Sequence, residues 1–176
     1  MLYNQTNMRR RLVRSNINPI SLPHFFFAGK AVLTFQNQDK GTHITVKSTQ
    51  ARDKADRKIK LPYFFINIRV LGDKESGSVF AGTIFQDTLT YKLSSKVNDG
   101  EQLDQIMRFL ISALKRPAVL KEKRVSLLHE GRCCRCSLPL THPESIETGF
   151  GPDCLKTVLA STKDLDVEDF FEKIAK

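Results

Sequence analysis

The sequence predicts an α+β protein: a small antiparallel sheet of four to five strands, covered by one amphipathic helix and followed by a small cysteine-bearing C-terminal module. Three observations predict it. Apolar and polar residues alternate in short segments between residues 31 and 93, one stretch after residue 98 changes to three- and four-residue spacing, and all four cysteines fall between residues 133 and 154.

Ala31-Val32-Leu33-Thr34-Phe35 reads as the first strand, and Thr42 to Ser48 as the second, with Ile44 and Val46 set between His43, Thr45 and Lys47. Gln36 to Gly41 supplies Asn, Asp and Gly for the hairpin between them. After the charged stretch Ala51 to Lys60, Tyr63 to Leu71 alternates Phe64, Ile66, Ile68 and Val70 with Tyr63, Phe65, Asn67 and Arg69. Turn residues 72–77 lead to strands at Ser78 to Phe85 and Thr88 to Leu93. Asn98 or Asp99 then offers an N-cap, with Glu101 or Gln102 in the third helical position. Leu103, Ile106, Met107, Leu110, Ile111 and Leu114 form the apolar stripe of a helix over about 99–116, which Pro117 ends. His24 and His43 read as ordinary structural residues.

Three regions follow from this pattern: a basic, flexible arm over 1–20, a sheet-and-helix domain over 21–117, and a C-terminal module with helices over 118–176. With 28 Lys and Arg against 19 Asp and Glu, the net charge is +9. That favours polyanions or acidic proteins as partners. The charge is also uneven, since residues 1–60 hold 12 Lys/Arg and 3 Asp/Glu, whereas the last 13 residues hold 2 and 5. No apolar run approaches the roughly 18–20 residues that span a bilayer, and no secretory signal pattern follows the basic N-terminus. The expectation is a cytoplasmic protein without membrane insertion.

Cys133 and Cys136 have the C-x2-C spacing that lets two thiolates on one tight turn face one cation. Gly151-Pro152-Asp153-Cys154 reads as a helix start, which places Cys154 at the positive end of the helix dipole, where a thiolate is favoured. Three soft ligands of this kind suit zinc, and a structural zinc site wants four. His129, Cys134 and His142 are the candidates for the fourth place. His129 is preferred, because it lies at the end of the apolar stretch Val125 to Leu128, which reads as a short strand leading into the turn, whereas the Cys134 side chain should point away from its neighbours' metal.

Gly131-Arg132-Cys133, Cys136, Leu140-Thr141, Pro143-Glu144-Ser145-Ile146-Glu147, Gly149, Gly151-Pro152 and Cys154 together fit the pattern GxCxxCxxxLTxPESIxxGxGPxC. In this the chain resembles an uncharacterised family of phage-encoded domains, densely over residues 129–155 and faintly upstream. It departs from that pattern at Cys134, commonly Gly, at Ser137-Leu138, commonly Gly-Arg, and at Phe150, commonly Ile. The resemblance implies a small zinc-binding protein of viral or mobile-element origin, acting in the host cytoplasm if viral, and implies no activity.

Knuckle first and helix-borne ligand last is the arrangement of half a treble-clef finger, with one structural zinc per chain. Three cysteines make a poor hydrolytic centre, and the sequence carries no phosphate loop, paired carboxylates or Ser-His-Asp set, so a binding protein is expected rather than an enzyme. The expected partner is nucleic acid, held mainly at its phosphates by Arg9, Arg10, Arg11, Arg14, Arg52, Lys54, Arg57, Lys58, Lys121, Lys123, Arg124, Arg132 and Arg135. Aromatic residues beside cations on a strand, as in Tyr63, Phe65 and Arg69, add the possibility of base stacking. The competing expectation is an effector that binds and inhibits a host protein through the same basic surface.

Overall fold

The computed structural model describes residues 12–70 and 77–161. Seven strands form one antiparallel sheet: β1 (Ser15–Ile17), β2 (Lys30–Asn37), β3 (His43–Arg52), β4 (Lys60–Val70), β5 (Val79–Phe85), β6 (Thr90–Leu93) and β7 (Val125–His129). Their spatial order is β1-β7-β2-β3-β4-β5-β6. Five of these are the strands read from alternation. The expected count of four to five is corrected to seven, because the short strand read at Val125 to Leu128 joins the same sheet as β7 and because β1, three residues long, lies outside the expected strands. A strand of three residues carries little periodicity of its own and is defined by its partner: Ile17 of β1 stands opposite Leu127, and Leu127 opposite Phe35. Residues 15–17 are therefore an edge strand rather than part of the expected flexible arm. The boundary expected at 117/118 does not coincide with a break in the sheet, because β7 is inserted between β1 and β2.

Helices α1 (Leu22–Phe26), α2 (Gln102–Lys115) and α3 (Ala118–Glu122) pack on the face carrying Leu33, Phe35, Val46, Phe64, Ile66 and Ile68. The apolar stripe of α2 buries Met107, Leu110 and Leu114 there, and Phe109 meets the Phe35 ring edge-on at 6.0 Å. The capping differs from expectation. Glu101 occupies the N-cap without a side-chain cap bond, and Asn98 donates to the Glu101 carboxylate. Asp104, fully buried, accepts from the Gly100 N–H at 2.8 Å, from the Tyr91 hydroxyl at 2.6 Å and from Arg108 at 2.9 Å. The N3 carboxylate thus reaches back over the first turn and ties it to β6, a role that Asn98 or Asp99 cannot fill from outside the helix.

The C-terminal part continues from β7 through a knuckle to α4 (Pro143–Thr148) and α5 (Pro152–Ser161). It is docked on the main core by Phe150, whose ring stacks on Phe25 of α1 at 5.0 Å, and by the Cys134 carbonyl, which accepts from the Lys30 N–H at 2.9 Å. No helix among the described residues is long and apolar enough to cross a membrane.

Candidate metal centre and its basic surroundings

After β7 the chain turns at Gly131 (φ +71°) and doubles back, with Arg132 bridging Pro139 and the Leu140 N–H donating to the Gly131 carbonyl at 2.9 Å. The tip of this hairpin is the Cys133–Cys136 turn, closed by Ser137 N–H donating to the Cys133 carbonyl at 2.7 Å. Closing it forces Ser137 to φ +67°, a left-handed conformation that suits glycine. Gly149, also left-handed at φ +72°, ends α4, and Pro152 opens α5 two residues before Cys154. This route returns Cys154 to the knuckle.

The Sγ atoms of Cys133, Cys136 and Cys154 lie within 4.8 Å of one another. Tetrahedral thiolates at about 2.3 Å from zinc would stand roughly 3.8 Å apart, so the three fit one ion with small adjustment. Burial alone would push the Cys133 thiol up, yet N–H donation from Gly151, Cys136 and Arg135 holds it below the ordinary thiol range. Burial, with the neighbouring Cys136 and Cys133 sulfurs, pushes Cys154 up to about 11, against the Arg135 guanidinium that donates to its Sγ at 3.7 Å. Three crowded sulfurs resist sharing negative charge until a cation joins them.

The preferred fourth ligand is corrected. His129 is fully buried and outside the sulfur cluster: its Nδ1 accepts from the Gly131 N–H at 3.0 Å, and its Nε2 lies 2.6 Å from the Ile146 carbonyl. An imidazole with both nitrogens engaged by backbone has no lone pair left for a metal. Cys134 and His142 are not in the cluster either. Cys134 is buried in the core, where the apolar surroundings and then the Cys133 charge push its thiol far up, and His142 is the exposed residue before α4. Among the described residues the metal-competent group therefore has three sulfurs.

The basic residues divide into separate groups. Arg9, Arg10 and Arg11 lie outside the described residues. Lys121, Lys123 and Arg124 precede β7, whereas Arg132 and Arg135 follow it, so the length of that strand, roughly 17 Å, separates the two sets. The expected continuous run around the cysteines is thus split. In compensation, Arg52 at the end of β3 and Lys60 at the start of β4 come up beside Arg135, and burial together with these two guanidiniums lowers the Lys60 pKa. Arg57 lies in the same turn, its carbonyl accepting from Arg52 at 2.8 Å. Lys54 and Lys58 occupy that turn as well. Arg14 belongs elsewhere, in an ion pair with Glu130 at 2.8 Å.

Linear charge runs gave no sign of the Arg52–Lys60–Arg135 group, because strand pairing assembles it from residues up to 83 positions apart in number. No curated protein and no solved structure shows a significant match to the chain. Residues 127–159, from β7 through the knuckle into α5, are similar to a family of unknown function (DUF6011).

Proposed function

We propose that this chain is a small, basic, non-enzymatic protein of phage type that binds nucleic acid mainly through phosphate contacts, with a structural zinc bound by Cys133, Cys136 and Cys154. The knuckle hairpin followed by the first turn of α5 supports a treble-clef-like reading of that site. The fourth coordination place falls to water or to a donor outside the described residues. Three thiolates leave a zinc centre with net negative charge, and the Arg135 guanidinium on Cys154 offsets it.

One observation carries the nucleic-acid reading. Arg52, Lys60 and Arg135 come together beside the knuckle, and none of them forms an ion pair among the described residues, whereas Arg108, Arg116 and Arg124 are all paired with carboxylates. Unneutralised cations from three chain segments in one place are a phosphate-binding surface.

Titration against labelled DNA and RNA at several salt concentrations tests it. Affinity should fall by orders of magnitude between about 50 and 200 mM salt, and replacing Arg52, Lys58 and Lys60 with Ser should weaken binding and flatten that dependence. Binding that ignores both salt and these substitutions would instead favour an acidic or apolar host protein as the partner. Absence of binding at low salt would sink the proposal.

A further inference from the structure

The second face of the sheet has no helix on it among the described residues. All three helices that cover the sheet, α1 to α3, bury their apolar sides on the opposite face. The open face nevertheless carries a group of aromatic rings. Tyr63 meets Phe65 edge-on at 5.7 Å and Phe85 at 6.0 Å, and Phe65 meets Phe80 at 6.2 Å. Phe65 and Phe80 are 41% exposed and Phe85 37%, although β4 and β5 are interior strands of the sheet. A sheet face left to water ordinarily carries polar side chains. Four rings in a chain of contacts, Phe85–Tyr63–Phe65–Phe80, three of them half-exposed, are an interaction surface.

The charged side chains on the strands themselves are of one sign. None of the seven strands contains an aspartate or glutamate. Lys92 stands across from Thr83, which stands across from Phe65, and Lys47 stands across from Asn67, which is paired with Phe80. Arg69 follows on β4 and lines a cleft of about 570 Å³ with Arg14 and Arg132. The one carboxylate among the described residues that line that cleft, Glu130, is already taken by Arg14 and the Thr34 hydroxyl.

We propose that this open face binds single-stranded nucleic acid, with bases stacked on Tyr63, Phe65, Phe80 and Phe85 and phosphates held by Lys47, Arg69 and Lys92. The proposal rests on the nucleic-acid reading above and adds a second surface with its own selectivity. Unpaired bases expose π-faces that an aromatic platform can take, whereas in a duplex those faces are stacked on one another and the rings would meet only the backbone. A second copy of the chain fits less well, because self-pairing of the face would press its lysines and arginines against their like.

The test uses the full chain and measures affinity for short labelled single-stranded DNA and RNA and for the corresponding duplexes, at one fixed salt concentration. The variants are Phe65→Ala with Phe85→Ala, and Phe65→Tyr as the ring-retaining control. Metal content and melting temperature report that each is folded. The expected result is a loss of about tenfold or more in single-strand affinity for the double alanine variant, unchanged duplex affinity, and near-normal single-strand binding by Phe65→Tyr.

Equal effects on both forms, or none, would overturn the platform while leaving phosphate binding at the knuckle intact. Binding of neither form by the unaltered chain would overturn both. A dimer that the alanine substitutions dissociate, with single-strand affinity unchanged, would assign the face to a second copy.

Discussion

The His129 Nε2–H donates to the Ile146 carbonyl at 2.6 Å, tying strand β7 to helix α4 across 17 residues of sequence. The donor is fixed by the other side of the ring, since Nδ1 accepts from the Gly131 N–H and must carry the lone pair. Burial lowers the His129 pKa and keeps the ring neutral, as this arrangement requires. The histidine that sequence reasoning placed on the metal instead holds the frame around it.

That relationship separates ligand from support by mutation. His129→Ala should leave the metal content at one per chain but destabilise the fold by about 2 kcal/mol or more, because two backbone groups lose their partner. Cys136→Ser or Cys154→Ser should lower the metal content and disorder the C-terminal part, since metal binding and ordering are linked. Elemental analysis with thermal melts decides it, and loss of metal from the His129 variant would return histidine to the ligand set.

Ser137→Gly should stabilise the protein. Ser137 sits at φ +67°, which costs a residue with a Cβ about 1 kcal/mol or more, partly offset by the greater freedom of glycine in the unfolded chain. The net gain should be about 0.5–1 kcal/mol, read as a rise in denaturation midpoint. The side chain can be removed cleanly because Arg132 holds the Ser137 carbonyl rather than its hydroxyl.

Gly149→Ala should do the reverse. A Cβ there would come 2.7 Å from Cε1 of Phe25, at a left-handed φ of +72°. Phe25 is fully buried and stacked on Phe150, so its ring cannot move aside without opening the contact that docks the knuckle. A loss of about 1–3 kcal/mol in unfolding free energy is expected, and an unchanged melting temperature would show that this contact is slack.

Asp104 sets a pH dependence. The Tyr91 hydroxyl, the Gly100 N–H and Arg108 hold its carboxyl well below the usual carboxylate range. A carboxylate with a depressed folded pKa contributes stability that is fully present above its unfolded value, about 3.9, and is lost as pH falls through the folded value. Asp104→Asn should therefore be less stable than the parent at neutral pH, with the gap closing as pH drops below about 4. Parallel denaturant melts across that range measure the gap, and a constant difference would contradict the assignment.

Legible in the sequence were the five strands between residues 30 and 93, the short strand at Val125 to Leu128, the helix after residue 98 and the Cys133–Cys136–Cys154 set. Each is written in local periodicity or short spacing, and the physics that fixes them acts within a few residues: alternation for a half-buried strand, three- and four-residue stripes for a helix, two cysteines on one turn. The remainder depends on residues far apart in number. Ser15–Ile17 is too short to announce itself and is a strand because it pairs with β7, and the place of β7 between β1 and β2 is written in no local pattern. His129 stands at a plausible ligand distance in sequence, but its neighbours in space, Gly131 and Ile146, use both its nitrogens. Arg52, Lys60 and Arg135 form one basic group because strand pairing and the docking of the knuckle on Gly29 and Lys30 bring them there. Alternation marked Phe65 as facing away from Phe64 and Ile66, and only the packing of all covering helices on the other side left its ring in water. A pattern in sequence says which residues share a face, whereas what covers that face depends on chain segments far away in number, brought together by burial.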